Sequence, residues 1–156
     1  MLNKNRIYIF LTIISIFIPA SSGNATPKDI SRRVIDETSL DEQIVLFCLE
    51  YCQGNQRRGY LKSVLLDQLD NGNYRVIGRA ALQNRQVIKN PLDFVLFDHT
   101  VIINASGILT PENCELRVED VYIQNDINNI FNTLLKDNRD IIGRTEIIPN
   151  CRRFIE

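Results

Sequence analysis

The sequence predicts an α+β domain in which helices come first, antiparallel strands joined by hairpins follow, and a last helix closes the chain. Three observations carry that expectation. Apolar residues recur at helical offsets near both ends of the chain. Asn71-Gly72 sits between two β-like arms, and Asn-Gly accepts the positive φ angles of a tight hairpin. The inward parity of the last strand switches partway along, which a bulged, curved sheet explains. The fold expected is a curved antiparallel sheet of about four to five strands packed against helices.

The elements follow in order. Lys4 and Arg6, the apolar run Ile7 to Ile18, Pro19 and the small polar stretch Ala20 to Ala25 have the order of a secretory signal peptide. The run is about a dozen residues against roughly 20 for a membrane-crossing helix, so cleavage is expected rather than anchoring. Residues 1–25 are thus read as a signal and residues 26–156 as one domain. Thr26-Pro27 opens a helix-compatible segment to Glu37, with Ile30, Val34 and Ile35 on one side. Ser39 and Glu42 are spaced as a capping box for a helix from Leu40 to Gln53, stopped by Gly54.

Tyr60 to Leu69 and Tyr74 to Leu82 form the arms of the Asn-Gly hairpin. Tyr74, Val76, Gly78, Ala80 and Leu82 face one way, and their small members leave room for a helix laid across the sheet. Asn84 to Asn90 reads as a polar connection. Leu92 to Phe97 and Thr100 to Ala105 read as a second hairpin turning at Asp98-His99, and Thr110-Pro111-Glu112-Asn113 as a turn. In the strand Cys114 to Ile123, one extra residue near Glu119-Asp120 would keep Cys114, Leu116, Val118, Val121 and Ile123 all inward. Ile127, Ile130, Phe131, Leu134 and Leu135 match the helical template, with Asn125 or Asp126 as cap. The apolar tail from Ile141 to Glu156 is expected to be tied to the body. In its order of elements the chain is similar to cystatin-like and nuclear-transport-factor-like rolls, an analogy of architecture that implies no activity.

Cys48, Cys52, Cys114 and Cys151 are even in number, and export would place them in an oxidising compartment, so two disulfides are expected. Cys48–Cys52 with Cys114–Cys151 is the favoured pairing; the alternative sends both helix cysteines across to Cys114 and Cys151. A redox pair would belong at a helix N-terminus, and these two lie near a C-terminus. Zinc would need closely spaced Cys or His pairs, and the chain has one histidine, so no metal or other cofactor is implied.

No catalytic set stands out. His99 would have to serve as the base in any nucleophile-plus-base mechanism, but its neighbour Asp98 points away from it on a strand or turn. Asp93 is unusual among apolar neighbours, and Glu115, Glu119 and Asp120 lie near a strand, yet none forms an evident acid-base pair. Asn104-Ala105-Ser106 and Asn24-Ala25-Thr26 match the glycosylation pattern, most simply by chance. Arg32-Arg33, Arg57-Arg58 and Arg152-Arg153 are local basic pairs. Loss of residues 1–25 leaves 16 basic against 19 acidic residues, a net charge of −3, which argues against general nucleic-acid or anionic-membrane binding.

The function expected is that of a secreted or periplasmic, non-enzymatic domain that binds another protein or joins an envelope-associated complex. One alternative is a small-molecule-binding or enzymatic roll with an apolar pocket, Gly78 and Ala80 facing Phe94 and Phe97, with Asp93 or His99 as polar groups. Another is a secreted inhibitor or effector using the loop Gln56-Arg57-Arg58-Gly59. The composition leaves the oligomeric state open.

Overall fold

The computed structural model describes residues 26–156. The signal-peptide expectation, with Asn24 and its glycosylation pattern, lies outside the described residues. A six-stranded antiparallel sheet runs in simple sequence order: β1 (Lys28–Asp29), β2 (Arg58–Gln68), β3 (Tyr74–Lys89), β4 (Asp93–Thr110), β5 (Glu115–Gln124) and β6 (Thr145–Ile147). Helices α1 (Ser31–Glu37) and α2 (Leu40–Tyr51) precede β2; α3 (Ile130–Asp137) and the short α4 (Arg152–Ile155) follow β5 and β6. The α+β class therefore stands, with more strands than the four to five expected. The two extra pairings are short: β1 meets only Leu65 and Leu66, and β6 meets Glu115, Leu116 and Arg117.

One face of the sheet carries the core in rows that cross the strands. Leu61, Ala80, Ile103 and Ile123 form one row; Val64, Gly78, Ala105 and Val121 form the next. Leu82 and Val101 sit beside them, fully buried with Ile44 of α2 and Ile141 of the tail. The parity that would break these rows is repaired by single extra residues. Lys62 bulges between Leu61 and Ser63, and Glu119 bulges between Val118 and Asp120. The second of these is the bulge that the phase change in β5 predicts, and it keeps Leu116, Val118, Val121 and Ile123 inward. Helix α2 lies so close to this face that a Cβ on Gly59 would fall 2.5 Å from the Ile44 carbonyl oxygen and 2.7 Å from Cys48 Cβ.

The Asn71-Gly72 turn forms as expected. Leu69 N–H donates to the Asn73 carbonyl at 2.8 Å, and Gly72 adopts a φ of +84°. Both disulfides take the favoured pairing, Cys48–Cys52 at the end of α2 and Cys114–Cys151 from the β4–β5 turn to the start of α4. The latter ties the tail to the body.

Several local expectations are corrected. The first helix starts at Ser31, because Lys28 and Asp29 pair with β2 before it. The Ser39 capping box does not form: the Ser39 hydroxyl accepts from Gln43 Nε2 instead, at 2.8 Å. Asn129 occupies the N-cap of α3, while Asp126 reaches past it to accept from the Asn132 amide at 2.7 Å. The largest correction concerns residues 84–101. Asn84 to Lys89 is strand rather than connection, and Asp98-His99 lies inside β4 rather than in a turn. The real turn is at Asn90-Pro91, where the peptide bond is cis. The polar residues that resemble a loop include Asn84, which is buried and accepts from the Gln53 amide at 2.7 Å.

Candidate functional site

Past Gln83 and Val101 the β3–β4 hairpin outruns its neighbours. β2 begins its pairing with Arg58 opposite Gln83, and β5 ends with Gln124 opposite Ile102. Asn84–Lys89 and Asp93–His99 are therefore paired with each other alone as strands, making a two-stranded arm. Isolated hairpins are marginal in water, and this one is braced along its β3 margin. Asn55 closes a two-way contact, its side chain donating to the Val87 carbonyl at 2.7 Å and accepting from the Val87 amide at 2.9 Å. Gln56 N–H donates to the Arg85 carbonyl at 3.0 Å, and Gln53 N–H to the buried Asn84 side chain at 2.7 Å. Gly54, at φ +96°, allows that approach, since a Cβ there would lie 2.0 Å from the Arg85 oxygen. The Cys48–Cys52 bridge fixes the end of α2 immediately before this brace.

The β4 margin of the arm has no strand partner among the described residues. Several apolar side chains there are open to solvent: Leu92, in the turn before β4, is 80% exposed, Phe94 57% and Leu96 57%, with Val95 and, across the hairpin, Ile88 also exposed, between the exposed Asp93 and Asp98. Phe94 stands opposite Ile88 and Val95 opposite Val87, while Leu96 is an extra residue between Val95 and Phe97. Polar groups border the base of the arm. Arg85 Nε lies 3.6 Å from Asp98, which also accepts from Gln83 at 3.0 Å.

The residues singled out in the sequence distribute around this arm. Asp93 opens β4 at the tip and is exposed. His99 is half-buried within β4, its ring 6.0 Å from that of Phe97. Arg57 donates to the Leu49 carbonyl at 2.6 Å, and the Arg58 guanidinium lies 5.2 Å from the Tyr60 ring. The other two basic pairs come together at the opposite end of the molecule, where Arg33 donates to the Arg153 carbonyl at 2.6 Å. The pocket placed between Gly78, Ala80, Phe94 and Phe97 does not exist: Gly78 and Ala80 lie beneath the core, and Phe94 is out on the arm. Asn104 is buried in β4, so its glycosylation pattern is not presented as an accessible acceptor.

Sequence reasoning missed a polar row on the sheet face away from the core. Ser63, Arg79, Asn104 and Tyr122 align across β2 to β5, with Ser106 and Asp120 in the adjacent row. Asn104 and Ser106 are nearly inaccessible because larger side chains flank them on both neighbouring strands. Strand alternation places these residues on the outer face but does not bury them. Nothing in this row pairs a nucleophile with a base. Two shifts in acidity occur elsewhere. Ser31 holds the Asp29 carboxyl below its ordinary value through its hydroxyl and its amide, while burial, then Glu50, push Tyr51 up to about 12. Among the described residues no group of three or more His, Cys, Asp or Glu is placed to hold a metal ion, and no helix is long and apolar enough to cross a membrane.

No family model, curated protein or solved structure matches this chain.

Proposed function

We propose that the chain is an exported, non-enzymatic domain that binds another protein, or takes its place in an envelope-associated complex, through the β3–β4 arm. The observation that carries this reading is the arm's free margin: backbone unpaired by any described strand, lined by Leu92, Phe94 and Leu96, each more than half exposed. Such an edge is an aggregation hazard unless it is used, and its natural use is addition of a strand from a partner. An extended segment with apolar side chains on alternate residues fits it. Burying each of these three side chains fully is worth about 1.5–3 kcal/mol, enough to make them the centre of an interface.

Export is supported by the leader-like order of residues 1–25 and by two disulfides, which suit an oxidising compartment. The analogy to cystatin-like and nuclear-transport-factor-like rolls rests on the order of elements and lends this reading no support of its own.

The test is a combined Leu92→Ser, Phe94→Ser, Leu96→Ser variant, expressed with its leader and cross-linked in its native compartment. The wild-type protein is expected to be recovered there, beginning near Thr26 and cross-linked to a specific partner that the variant loses. Equal cross-linking by the two proteins would move the interface off the arm.

A further inference from the structure

In the arm, β4 already has one strand beside it, and that strand shows what β4 accepts. β3 sets Arg85 opposite Asp98, Val87 opposite Val95 and Lys89 opposite Asp93. The extra residue Leu96 takes up the difference in length, so two aspartates five positions apart in β4 face two cations four positions apart in β3. Opposed residues share a face of the sheet, so both aspartates and Val95 stand on one side of the hairpin. The Arg85–Asp98 contact is an ion pair of 3.6 Å.

The backbone of the free margin is set to the same three positions. Asn55 meets both backbone groups of Val87, and the Gln56 amide meets the Arg85 carbonyl. Those two residues therefore turn their backbone groups away from β4. Opposed residues in an antiparallel ladder behave alike, so Val95 and Asp98 turn theirs away from β3, onto the free margin. Asp93, opposite Lys89 and two residues from Val95, follows the same alternation. A strand added there would hydrogen-bond at Asp93, Val95 and Asp98, with its own side chains opposite those three.

We propose that the occupant of this margin is an extended segment of another protein with two cations four residues apart and an apolar residue midway. It lies antiparallel to β4, so that its cations meet Asp93 and Asp98 from the side opposite Lys89 and Arg85. The inference rests on the arm reading above and adds to it the charge pattern of the partner. Asp93 is exposed, and Asp98, though held by Arg85 and by Gln83 at 3.0 Å, keeps 40% of its side chain in solvent. A carboxylate has lone pairs enough for donors on both sides. A second copy of this chain is a poor match. Two β4 strands laid antiparallel over this span would set Asp93 against Asp98 twice, and like charges directly opposite each other are destabilising.

Two labelled peptides are the probes: Thr-Arg-Gln-Val-Ile-Lys-Thr, whose middle repeats residues 85–89, and Thr-Glu-Gln-Val-Ile-Glu-Thr. Both are titrated by fluorescence anisotropy against the disulfide-intact protein at low ionic strength. The cationic peptide is expected to bind saturably and roughly tenfold more tightly than the acidic one, with the gap closing at high salt. Asp93→Asn combined with Asp98→Asn should bring the two peptides within about twofold of each other. Asp93→Asn alone, at the exposed tip, should close part of the gap even where the change at Asp98 disturbs the arm. The triple serine variant of the arm should bind neither peptide. Equal binding of the two by the wild type, or a preference that survives both asparagine changes, would overturn the charge pattern. So would binding of neither peptide by the wild type; a cross-linked partner lost on serine substitution would then leave the arm reading standing. Cationic binding retained by the serine variant would move the site off the arm.

Discussion

The two free margins of the sheet are finished in opposite ways. Along β2, outward-facing backbone groups are met by side chains and by a scrap of strand. Ser31 accepts from the Val64 amide at 2.8 Å, Asp41 accepts from the Leu61 amide at 2.7 Å, and β1 covers Leu65 and Leu66. Ile30 N–H donates to the Val64 carbonyl at 2.9 Å. That margin has no need of a partner. Along the arm, the outer margin of Asp93–His99 has no described strand partner, and its exposed side chains are Phe94, Val95 and Leu96 between Asp93 and Asp98, an apolar stretch where charges usually blunt an edge. The same chain closes one edge with a serine and an aspartate and leaves the other apolar. Solubility alone would favour the first treatment at both, so the second points to use.

Four experiments break or sharpen this contrast. The largest effect belongs to the closed half. Replacing Cys114 and Cys151 together with alanine releases a loop with a sequence separation of 37, and the loop-entropy model puts the loss at roughly 3–4 kcal/mol. Equilibrium unfolding in urea reads it, and an unchanged midpoint would mean that packing alone holds the tail. Next, Asp41→Ala strips the partner from the Leu61 amide beneath α2, at a cost of about 1–3 kcal/mol. Asp41→Asn, which keeps an acceptor, should recover most of that.

The arm should behave otherwise. Its triple serine variant is expected to stay within about 0.5 kcal/mol of the parent in the same unfolding assay, because the changed side chains already face water. A loss of several kcal/mol would show that the arm is part of the domain's own core rather than a projection from it. The smallest effect is electrostatic. Ser31 holds the Asp29 carboxyl below its ordinary value of 3.8, so the stability it contributes is present above that value and lost as pH falls through the lowered one. Asp29→Asn should therefore flatten a slight acid-side slope in melting temperature and leave neutral pH almost unaffected.

Local chemistry was legible wherever a few neighbouring residues decide the outcome. Asn71-Gly72 marks its hairpin through permitted φ angles, and the parity switch after Val118 marks the Glu119 bulge, since a pleated strand cannot hide both Val118 and Val121 without an extra residue. The pairing Cys48–Cys52 also needs only one helical turn. The arm was not legible, because Asn84, Arg85 and Gln86 are polar enough to read as a loop. They are strand because Asn55 and Gln56 brace Val87 and Arg85, residues about thirty positions further along. Equally hidden was a half-open cavity of about 200 Å³ bordered by Val34, Leu66, Val76, Leu109 and Phe154, for its walls come from α1, α2, four strands and the tail.

From the sequence alone came the α+β class, the Asn-Gly turn, the bulge in β5 and the favoured disulfide pairing. Each rests on backbone freedom or on the two-residue and 3.6-residue periods, which short stretches of chain express by themselves. Only the tertiary structure decided which edge stays open, which apolar residues remain in water, and where that cavity lies. Those outcomes depend on how far each strand outruns its neighbour and on volumes enclosed by segments remote in sequence, and no local pattern encodes either.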